Sequence, residues 1–472
     1  MRRGRSWWAY AAVAGAFAAL VIGHWLWALA GDGPVLYGEG AVAHAAILAR
    51  DHLEYTFGAR YGDVTPIFTA ANYPPLYFHL AGFGDPFIAG RVVSIVASLF
   101  VAGAIVWRAR AAGALVAAAI GLAWLGSVPV MQWGPALKPD AVAIALTVGA
   151  VLALGRERPM HALSGALIGL AVMAKPTALV PAAVLFIFVA RRDPIAAVRA
   201  LGAGLAAALV VALVTEGPSK ALYVHVFDWN ALPWRIELLV GLVVAAVLAL
   251  AVPTATMIAT RPADGAITAY GIAAVGVLLL GGREGATVNY FLDLSAALAL
   301  GAAAVAPRLA LGRAYPVASL AQLVIGAALL NPFPSVPSLL QPTGKWSDPA
   351  RAALVRDLPG TLLVEDSGLL VANGREPIVD DLFLWSRVYA TGRSFLEGER
   401  LLAAIRAGTF DAIVSEVELE HIDAGPGYER QRWNSGLVTA VLERYQMLRR
   451  AYGLCQPLVR CPQLYVYTLR QP

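Results

Sequence analysis

The sequence predicts an α-helical, polytopic membrane protein with a small C-terminal α/β domain. Hydrophobic residues make up 59% of the 472 positions and charged residues only 14%, whereas a soluble domain averages roughly 25% charged residues. The mean hydropathy is +0.65. Apolar runs fill the chain to about residue 335, and the composition becomes globular from about residue 340. We therefore expect a transmembrane region at 1–335, with a first outer loop at 31–86, and a soluble domain at 340–472.

Eleven apolar segments are long enough, or nearly long enough, to cross a bilayer, which requires about 20 helical residues. They lie at about 7–30, 87–107, 111–130, 140–155, 160–174, 176–190, 196–214, 236–258, 266–281, 288–306 and 314–331. The first run is longer than the roughly 7–15 apolar residues of a cleavable signal peptide. It predicts a retained membrane anchor.

The distribution of lysine and arginine predicts the orientation. Cytoplasmic loops are enriched in these residues. With a cytoplasmic N-terminus, the inner helix ends collect Arg2, Arg3, Arg5, Arg108, Arg110, Arg156, Arg158, Arg191, Arg192, Arg199, Arg261, Arg308 and Arg313. An odd number of spans then places the C-terminal domain outside the cytoplasm, on the side of the first loop. The chain has 36 basic and 31 acidic residues, and the basic residues form no long run. Nucleic acid is therefore not expected as a partner.

The C-terminal region alternates between strand and helix patterns. Strands are predicted at 361–364, 411–414 and 463–469, and helices at 399–407 and 435–450. This alternation is typical of a small α/β domain. Cys455 and Cys461 are the two cysteines of the chain. They form a disulfide if the domain is extracytoplasmic, or remain two unpaired thiols, since their spacing alone does not fix their geometry.

The first outer loop carries an acidic residue close to the membrane, Glu39 in the segment YGEG at 37–40. A carboxylate beside lipid costs free energy unless it is hydrated, paired with a cation or part of a functional site. The pattern of apolar residues at 36–48 predicts a short helix at the membrane surface that begins near Glu39. The flanking glycines would let a substrate approach the backbone. Alternatively, Glu39 is a carboxylate at a helix N-terminus that faces water.

Several ordered motifs resemble those of one enzyme superfamily. They are YGEG at 37–40, RDHLEY at 50–55, the run from ANYPPLY to VASL at 71–99, LKPD at 137–140, AKPT at 174–177, GATVNYFLDLSAALAL at 285–300 and ANGREPIVDDLF at 372–383. Together they resemble the GT-C glycosyltransferases, and especially the bacterial branch related to protein O-mannosyltransferases and aminoarabinose transferases (glycosyltransferase family 39-like). The resemblance extends over nearly the whole chain.

The resemblance implies transfer of a sugar from a polyprenyl-phosphate donor to an acceptor on the outer membrane face, usually with inversion. The acceptor would be a glycan, a lipid or a protein. The chain would then lie in a bacterial inner membrane, in contact with membrane lipids, and act on the cell envelope from the periplasmic side. No cofactor is obligatory by this resemblance, and a divalent cation is possible; the loop acids and histidines show no recognised metal-ligand spacing.

The resemblance also assigns roles to individual residues. Glu39 matches the acidic residue of the first loop that is taken as the base, although the family more often has aspartate there. A departing phosphate requires positive charge near the outer helix ends, and the candidates are Arg91, Lys138, Lys175 and Arg283. Asp140 either orients a donor hydroxyl or holds a neighbouring base. The further substrate contacts are expected to be Asp51, Tyr73, Tyr77, Asn289 and Tyr290.

Structural alternatives remain open for most of these residues. Asp140 follows a proline and could cap its helix, and Lys138 could extend toward the membrane interface. Tyr73 and Tyr77 could be membrane anchors. Asn289-Tyr290 could serve helix packing, and Arg283 could pair with the adjacent Glu284 or face water.

Two other classes of protein fit the composition. A lipid or sugar transporter, or a flippase, would place charges and broken helices near the bilayer midplane and often carry inverted repeats. The charges of this chain lie mainly at segment ends, and no repeat is visible. A scaffold protein without catalytic activity would use Glu39 only to stabilise a helix.

Overall fold

A computed structural model of the chain describes residues 2–31, 33–52, 68–69, 72–215, 220–260, 264–307, 314–330, 349–391, 396–424, 429–452 and 463–471. Both cysteines, and with them the predicted disulfide, lie outside these residues.

The described part of the chain is dominated by helices, most of them in the N-terminal two thirds. In chain order they are α1 Arg2–Ala30, α2 Glu39–His52, α3 Leu76–Ala81, α4 Pro86–Ala109, α5 Ala114–Leu125, α6 Val128–Trp133, α7 Asp140–Leu154, α8 His161–Ala174, α9 Leu179–Ala190, α10 Pro194–Thr215, α11 Lys220–Tyr223, α12 Ile236–Thr260, α13 Gly265–Leu279, α14 Leu292–Val305, α15 Ala314–Leu330, α16 Pro349–Asp357, α17 Gly368–Val371, α18 Leu382–Ala390, α19 Leu396–Ala407, α20 Glu429–Arg432 and α21 Ser435–Arg444.

Six of the helical stretches are long and apolar enough to span a membrane. They are Trp7–Ala30, Pro86–Ala112, Pro194–Thr215, Ile236–Thr256, Gly265–Gly282 and Val288–Val305. Shorter apolar helices lie at Ala114–Leu125, Asp140–Leu154, His161–Ala174, Pro176–Ala190 and Tyr315–Ala328. The expected polytopic helical architecture is confirmed. The count of eleven spans stays a prediction, because the shorter helices fall below the length that an upright helix needs.

A local sequence signal explains where α4 starts. Asp85 accepts a hydrogen bond from the Ile88 N–H at 3.1 Å, and Pro86 is the first residue of α4. An aspartate cap followed by proline is a favourable helix start, since the cap satisfies a free N–H and proline has none to satisfy. The predicted loop helix is also present, and α2 begins at Glu39.

A four-stranded sheet with the order β1-β2-β4-β3 forms the core of the C-terminal α/β domain. Its strands are β1 Leu362–Val364, β2 Ala412–Ser415, β3 Tyr445–Tyr452 and β4 Gln463–Leu469. The pair β1 and β2 is parallel, and β4 runs antiparallel to both β2 and β3. The predicted single helix at 435–450 is wrong in its second half. The helix ends at Arg444, and residues from Tyr445 onward pair with β4, because strand pairing there outweighs local helix propensity.

The C-terminal domain packs against the membrane region at one end of the helix bundle. The Arg387 Nε of α18 donates to Glu284, in the connection between α13 and α14, at 2.8 Å. Phe68, in the first loop, exchanges backbone hydrogen bonds with the Ile378 carbonyl at 3.0 Å and the Asp380 N–H at 3.3 Å. The domain therefore contacts both the first loop and a late loop of the membrane region.

Candidate active site

The segment LKPD at 137–140 lies at the start of α7 and carries two of the predicted site residues. Pro139 has a φ of −72°, and α7 begins at Asp140. The Asp140 carboxylate is 1% exposed. Its Oδ1 accepts hydrogen bonds from Lys175 Nζ and from Asn289 Nδ2, the latter at 2.9 Å. Its Oδ2 is buried without a hydrogen-bond partner in the part of the chain that the structure describes. The helix-cap alternative for Asp140 is therefore wrong.

Lys175 interrupts the helical path between α8 and a single 3₁₀ turn, Pro176–Ala178. It is extended, with φ −149° and ψ 129°, because a residue that precedes proline is excluded from the helical region. Its Nζ contacts Asp140 and lies 5.3 Å from the centre of the Tyr290 ring. The anionic partner that a buried lysine requires is thus a protein carboxylate 35 positions earlier in the chain.

Arg283 and Tyr290 lie on the other side of this cluster, between α13 and α14. The Arg283 Nη1 donates to the Asn230 carbonyl at 2.7 Å, and its Nη2 donates to the Tyr290 hydroxyl at 2.6 Å. The Arg283 Nε is buried and unpartnered among the described residues. The adjacent Glu284 pairs with Arg387 instead, so the alternative of an Arg283–Glu284 pair is wrong.

Lys138 is buried, with 6% of its surface exposed. Within the described chain its Nζ makes no hydrogen bond or ion pair. It lies beside Gly38, where an added Cβ would be 2.9 Å from Nζ. Burial lowers the pKa of Lys138, and the fields of Asp381, Glu39, Asp140 and Asp366 act in the opposite direction. Lys138 is thus an ammonium group surrounded by carboxylates but bound directly to none.

Glu39 is fully buried and both of its oxygens are engaged by the protein. Oε2 accepts from the Val35 N–H at 2.7 Å and from Arg91 Nη2 at 2.9 Å, and Oε1 accepts from the Leu137 N–H at 2.7 Å. The alternative of a water-facing carboxylate is therefore wrong. Through these bonds Glu39 joins the start of α2 to α4 and to the LKPD segment.

Arg91 is also fully buried. Its Nη1 donates to the carbonyls of Ala28 and Gly31, at 2.8 and 2.9 Å, and its Nη2 donates to the Gly33 carbonyl at 2.6 Å as well as to Glu39. Both terminal nitrogens are therefore saturated by protein oxygens, which leaves Arg91 without a free terminal N–H for a phosphate.

The two glycines that flank Glu39 face protein atoms. Gly38 has a φ of +79°, which favours glycine, and it makes room for the Lys138 ammonium. A Cβ on Gly40 would lie 2.1 Å from the Gly368 nitrogen and 2.4 Å from Ser367 Oγ. The absence of a side chain at Gly40 thus lets the C-terminal domain pack against this backbone. A protein segment lies where the sequence predicted that a substrate would approach.

The three remaining predicted contacts, Tyr77, Tyr73 and Asp51, differ in their surroundings. Tyr77 is fully buried and donates to the Gly90 carbonyl at 2.9 Å, so its membrane-anchor alternative is wrong. Tyr73 lies close enough to Asp140 for that carboxylate to raise the pKa of Tyr73, after the larger effect of burial. Asp51, at the end of α2, is exposed and pairs with the adjacent Arg50 at 2.5 Å; no described contact brings it to the Asp140 cluster.

Three residues at this end were not among the predicted site residues. The Tyr37 hydroxyl donates to Asp381 Oδ1 at 3.2 Å and accepts from the Phe383 N–H at 2.8 Å. The Arg432 guanidinium lies 3.9 Å from the centre of the Tyr37 ring. Tyr37 and Asp381 belong to the motifs YGEG and ANGREPIVDDLF, so the sequence could have indicated them as site residues. Arg432 lies in no motif, and only the fold brings it beside Tyr37.

Comparison with known proteins identifies the fold. No protein-family model matches the chain, and no curated protein matches it. A crystal structure of ArnT from Cupriavidus metallidurans in the apo state is similar over 96% of both chains, with a TM-score of 0.56 and 15% identity. A structure of the same protein bound to undecaprenyl phosphate matches 90% of this chain and 75% of its own, with a TM-score of 0.50 and 16% identity.

An archaeal protein has a similar fold. The Archaeoglobus fulgidus oligosaccharyltransferase, tethered to an acceptor peptide that contains the NVT sequon, matches 98% of this chain and 74% of its own, with a TM-score of 0.51 and 12% identity. Both proteins are GT-C glycosyltransferases, and the expected GT-C-like fold is confirmed. At these identities the likeness establishes the fold, and the chemistry has to be argued from the site.

Proposed function

We propose that the chain transfers a glycosyl group from a polyprenyl-phosphate-linked sugar to an acceptor hydroxyl on the outer face of a membrane. One observation carries this proposal. Among the described residues, one buried oxygen of the Asp140 carboxylate has no partner, and the ammonium of Lys138, two positions earlier in the chain, makes no hydrogen bond or ion pair. A base and a phosphate ligand are the two groups that such a transfer requires.

Asp140 acts as the general base in this proposal. Lys175 and Asn289 hold its Oδ1, which fixes the direction of Oδ2. The acceptor hydroxyl gives its proton to Oδ2 as its oxygen forms a bond to the anomeric carbon, and the bond from that carbon to the phosphate oxygen breaks. Attack opposite the leaving group inverts the anomeric centre. General-base assistance of this kind contributes typically about 10²–10⁴ in rate.

Lys138 acts on the leaving group. The departing polyprenyl phosphate takes the electron pair of the broken bond and needs no carboxylic acid to protonate it, so one carboxylate suffices where inverting glycosidases need two. An ammonium that is buried and held away from its surrounding carboxylates is available for a phosphate oxygen. Arg283 and Tyr290 line the same cluster and would position the sugar or its phosphate.

Glu39 and Arg91 have a structural role in this proposal. Both oxygens of Glu39 and both terminal nitrogens of Arg91 are already bound by the protein. A base has to accept a proton from the substrate, and Glu39 could do so only after losing one of these bonds. Asp140 therefore replaces Glu39 as the candidate base.

We further propose that the site faces the periplasm of a bacterium. This is supported by the arginine-rich chain segments around Arg108, Arg156 and Arg192, which lie at the helix ends opposite to Asp140. Such residues favour the cytoplasmic side. The C-terminal domain, which contacts the site end through Tyr37, would then be extracytoplasmic and available to a glycan, lipid or protein acceptor.

The test is a transfer assay with the purified full-length protein. A panel of polyprenyl-phosphate sugars is incubated with lipid, glycan and peptide acceptors, and mass spectrometry searches for an acceptor mass raised by one sugar. We expect a product with at least one donor and its loss in Asp140→Asn. Parallel reactions with EDTA test the possible divalent cation. Binding of the donors without any product, together with their movement across vesicle membranes, would instead support a flippase.

A further inference from the structure

The start of α18 in the C-terminal domain presents a carboxylate to the first loop of the membrane region. Asp381 caps this helix and accepts the Leu384 N–H at 2.9 Å. The same Oδ1 accepts the Tyr37 hydroxyl at 3.2 Å. Asp381 is 8% exposed, and within the described residues its side chain accepts hydrogen bonds from these two donors alone. A helix cap alone needs no second partner, so the bond to Tyr37 joins two separate parts of the chain.

Tyr37 is held by the C-terminal domain on three sides. Its hydroxyl lies between Asp381 and the Phe383 N–H. Its ring lies beneath the Arg432 guanidinium, which is itself anchored by Glu365 at 3.0 Å and by Glu416 at 2.9 Å. The position of the Tyr37 side chain is therefore set by residues far away in the sequence.

Tyr37 directly precedes Gly38, the residue that faces the Lys138 ammonium. Gly38 is in the left-handed region, with φ +79°, and a Cβ at this position would be 2.9 Å from Lys138 Nζ. Because Tyr37 and Gly38 share a peptide bond, the restraint on the Tyr37 ring is transmitted to the backbone against which Lys138 packs. The C-terminal domain thus limits where this ammonium can lie.

We propose that Asp381 is a positioning residue of the transferase site, which holds the Tyr37–Gly38 backbone beside Lys138 and provides a negative charge that the donor phosphate later supplements. This inference rests on the proposed function, in which Lys138 receives the phosphate. It makes the C-terminal domain a component of the site.

Electrostatics support this geometry. Burial lowers the pKa of Lys138, and Asp381 is the strongest of the four carboxylates that oppose this effect, ahead of Glu39, Asp140 and Asp366. In turn, burial raises the pKa of Asp381, with a further rise from Asp380, whereas Lys138 and the Tyr37 hydrogen bond lower it. Without the charge at 381, Lys138 loses its proton at a lower pH, and the site loses its phosphate ligand under alkaline conditions.

The discriminating variant is Asp381→Asn. Asparagine caps helices as well as aspartate does, and its carbonyl oxygen still accepts the Tyr37 hydroxyl, so only the charge is removed. We expect the KM for the polyprenyl-phosphate sugar to rise severalfold on the alkaline side of the pH profile, because Lys138 loses its proton at a lower pH, while kcat changes less. Asp85→Asn, at the exposed cap of α4, is the matched control and leaves the profile unchanged.

Rescue by a second substitution separates charge from structure. Arginine stays protonated at all accessible pH values, so the alkaline loss should disappear in Asp381→Asn combined with Lys138→Arg, compared with Lys138→Arg alone. If Asp381→Asn lowers activity equally at every pH, or if the loss persists with arginine at 138, the role assigned to Asp381 is wrong.

A second measurement does not depend on activity. The pH dependence of acylation of the Lys138 amine, followed by peptide mass spectrometry of the folded protein, reports its protonation. In Asp381→Asn we expect the acylation midpoint to move to lower pH, and an unchanged midpoint would overturn the inference. Failure of the wild-type protein to transfer any sugar would refute the proposed function, whereas the acylation result would still decide whether Asp381 controls Lys138.

Discussion

The helix bundle has two buried ion pairs at the same end, Glu39–Arg91 and Asp140–Lys175. They differ in whether a carboxylate oxygen is left without a hydrogen-bond partner. Glu39 binds three donors through two oxygens. Asp140 binds both of its donors through Oδ1 and leaves Oδ2 without a partner among the described residues. The Glu39 carboxylate is thus fully bound by the protein, although the Arg91 Nε has no partner among the described residues, whereas the Asp140 carboxylate keeps one oxygen unbound.

Under the proposed function, this difference separates a structural acid from a reactive one. A buried polar atom without a hydrogen bond costs free energy, so a fold that keeps one in a functional cluster has a use for it more often than elsewhere. Burial, charge and a membrane-loop location are common to both acids and do not distinguish them. The two acids are distinguished by whether a carboxylate oxygen still lacks a hydrogen-bond partner.

The largest effect is expected from Asp140→Asn. If Asp140 is the base, kcat falls by about 10²–10⁴, far beyond what the loss of folded protein explains. The measurement is kcat for transfer, corrected for the folded fraction by size-exclusion chromatography. Asp193→Asn, at the cap of α10 on the opposite side of the bundle, serves as control and should retain full activity. A kcat within threefold of the wild-type value would remove Asp140 from the chemistry.

Glu39→Gln should show the converse pattern. Removal of one partner leaves Arg91 buried with its charge uncompensated, which costs about 3–5 kcal/mol of stability. We expect a clear fall in the thermal unfolding temperature in detergent, while kcat per folded molecule stays close to that of the wild type. Glu237→Gln, at the exposed first turn of α12, controls for charge removal. If Glu39→Gln is as stable as the wild type but transfers no sugar, Glu39 is the base after all.

Gly40→Ala tests the contact between α2 and the C-terminal domain. The added methyl group would lie 2.1 Å from the Gly368 nitrogen, so a backbone must shift, and overpacking of this kind costs about 1–3 kcal/mol. We expect faster proteolysis at the domain junction and reduced transfer. Gly84→Ala, where no atom lies within 4 Å of the new Cβ, should behave like the wild type. Equal behaviour of the two variants would show that the domain contact is looser than described.

The smallest effect concerns pH. Burial lowers the pKa of His44, but the hydrogen bond to Asp380 at 3.1 Å and the Glu376 carboxylate at 3.8 Å outweigh this and raise it above 6.5. A raised pKa in the folded state adds stability that is fully present below pH 6.5 and is lost as the pH rises through the raised value. The advantage of the wild type over His44→Gln should therefore be about 1 kcal/mol in acid and shrink toward alkaline pH. Thermal unfolding at several pH values checks this, and a constant difference would contradict it.

Much of the fold follows from local patterns. The apolar runs predicted the order of the helices, and the alternation beyond residue 340 predicted three of the four strands. The error at 435–450 arose because residues from Tyr445 onward have a pattern that fits a helix until β4 is available as a partner. Strand formation depends on a neighbour that a local pattern does not reveal.

The sequence predicted the residues of the site better than their roles. The motifs brought together Lys138, Asp140, Lys175 and Asn289, because each stands where a helix begins or ends near one membrane face. The family resemblance named Glu39 as the base, and nothing local in the sequence indicates that Arg91 and two backbone N–H groups bind it.

The sequence by itself determined the membrane-spanning class of this protein and its helix order, because hydrophobicity and helix signals act over short stretches of chain. Only the tertiary structure decided which carboxylate is satisfied and which is open, and that the C-terminal domain reaches Lys138 through Asp381 and Tyr37. These properties depend on hydrogen bonds between residues up to 346 positions apart, and such bonds form only once the whole chain has packed.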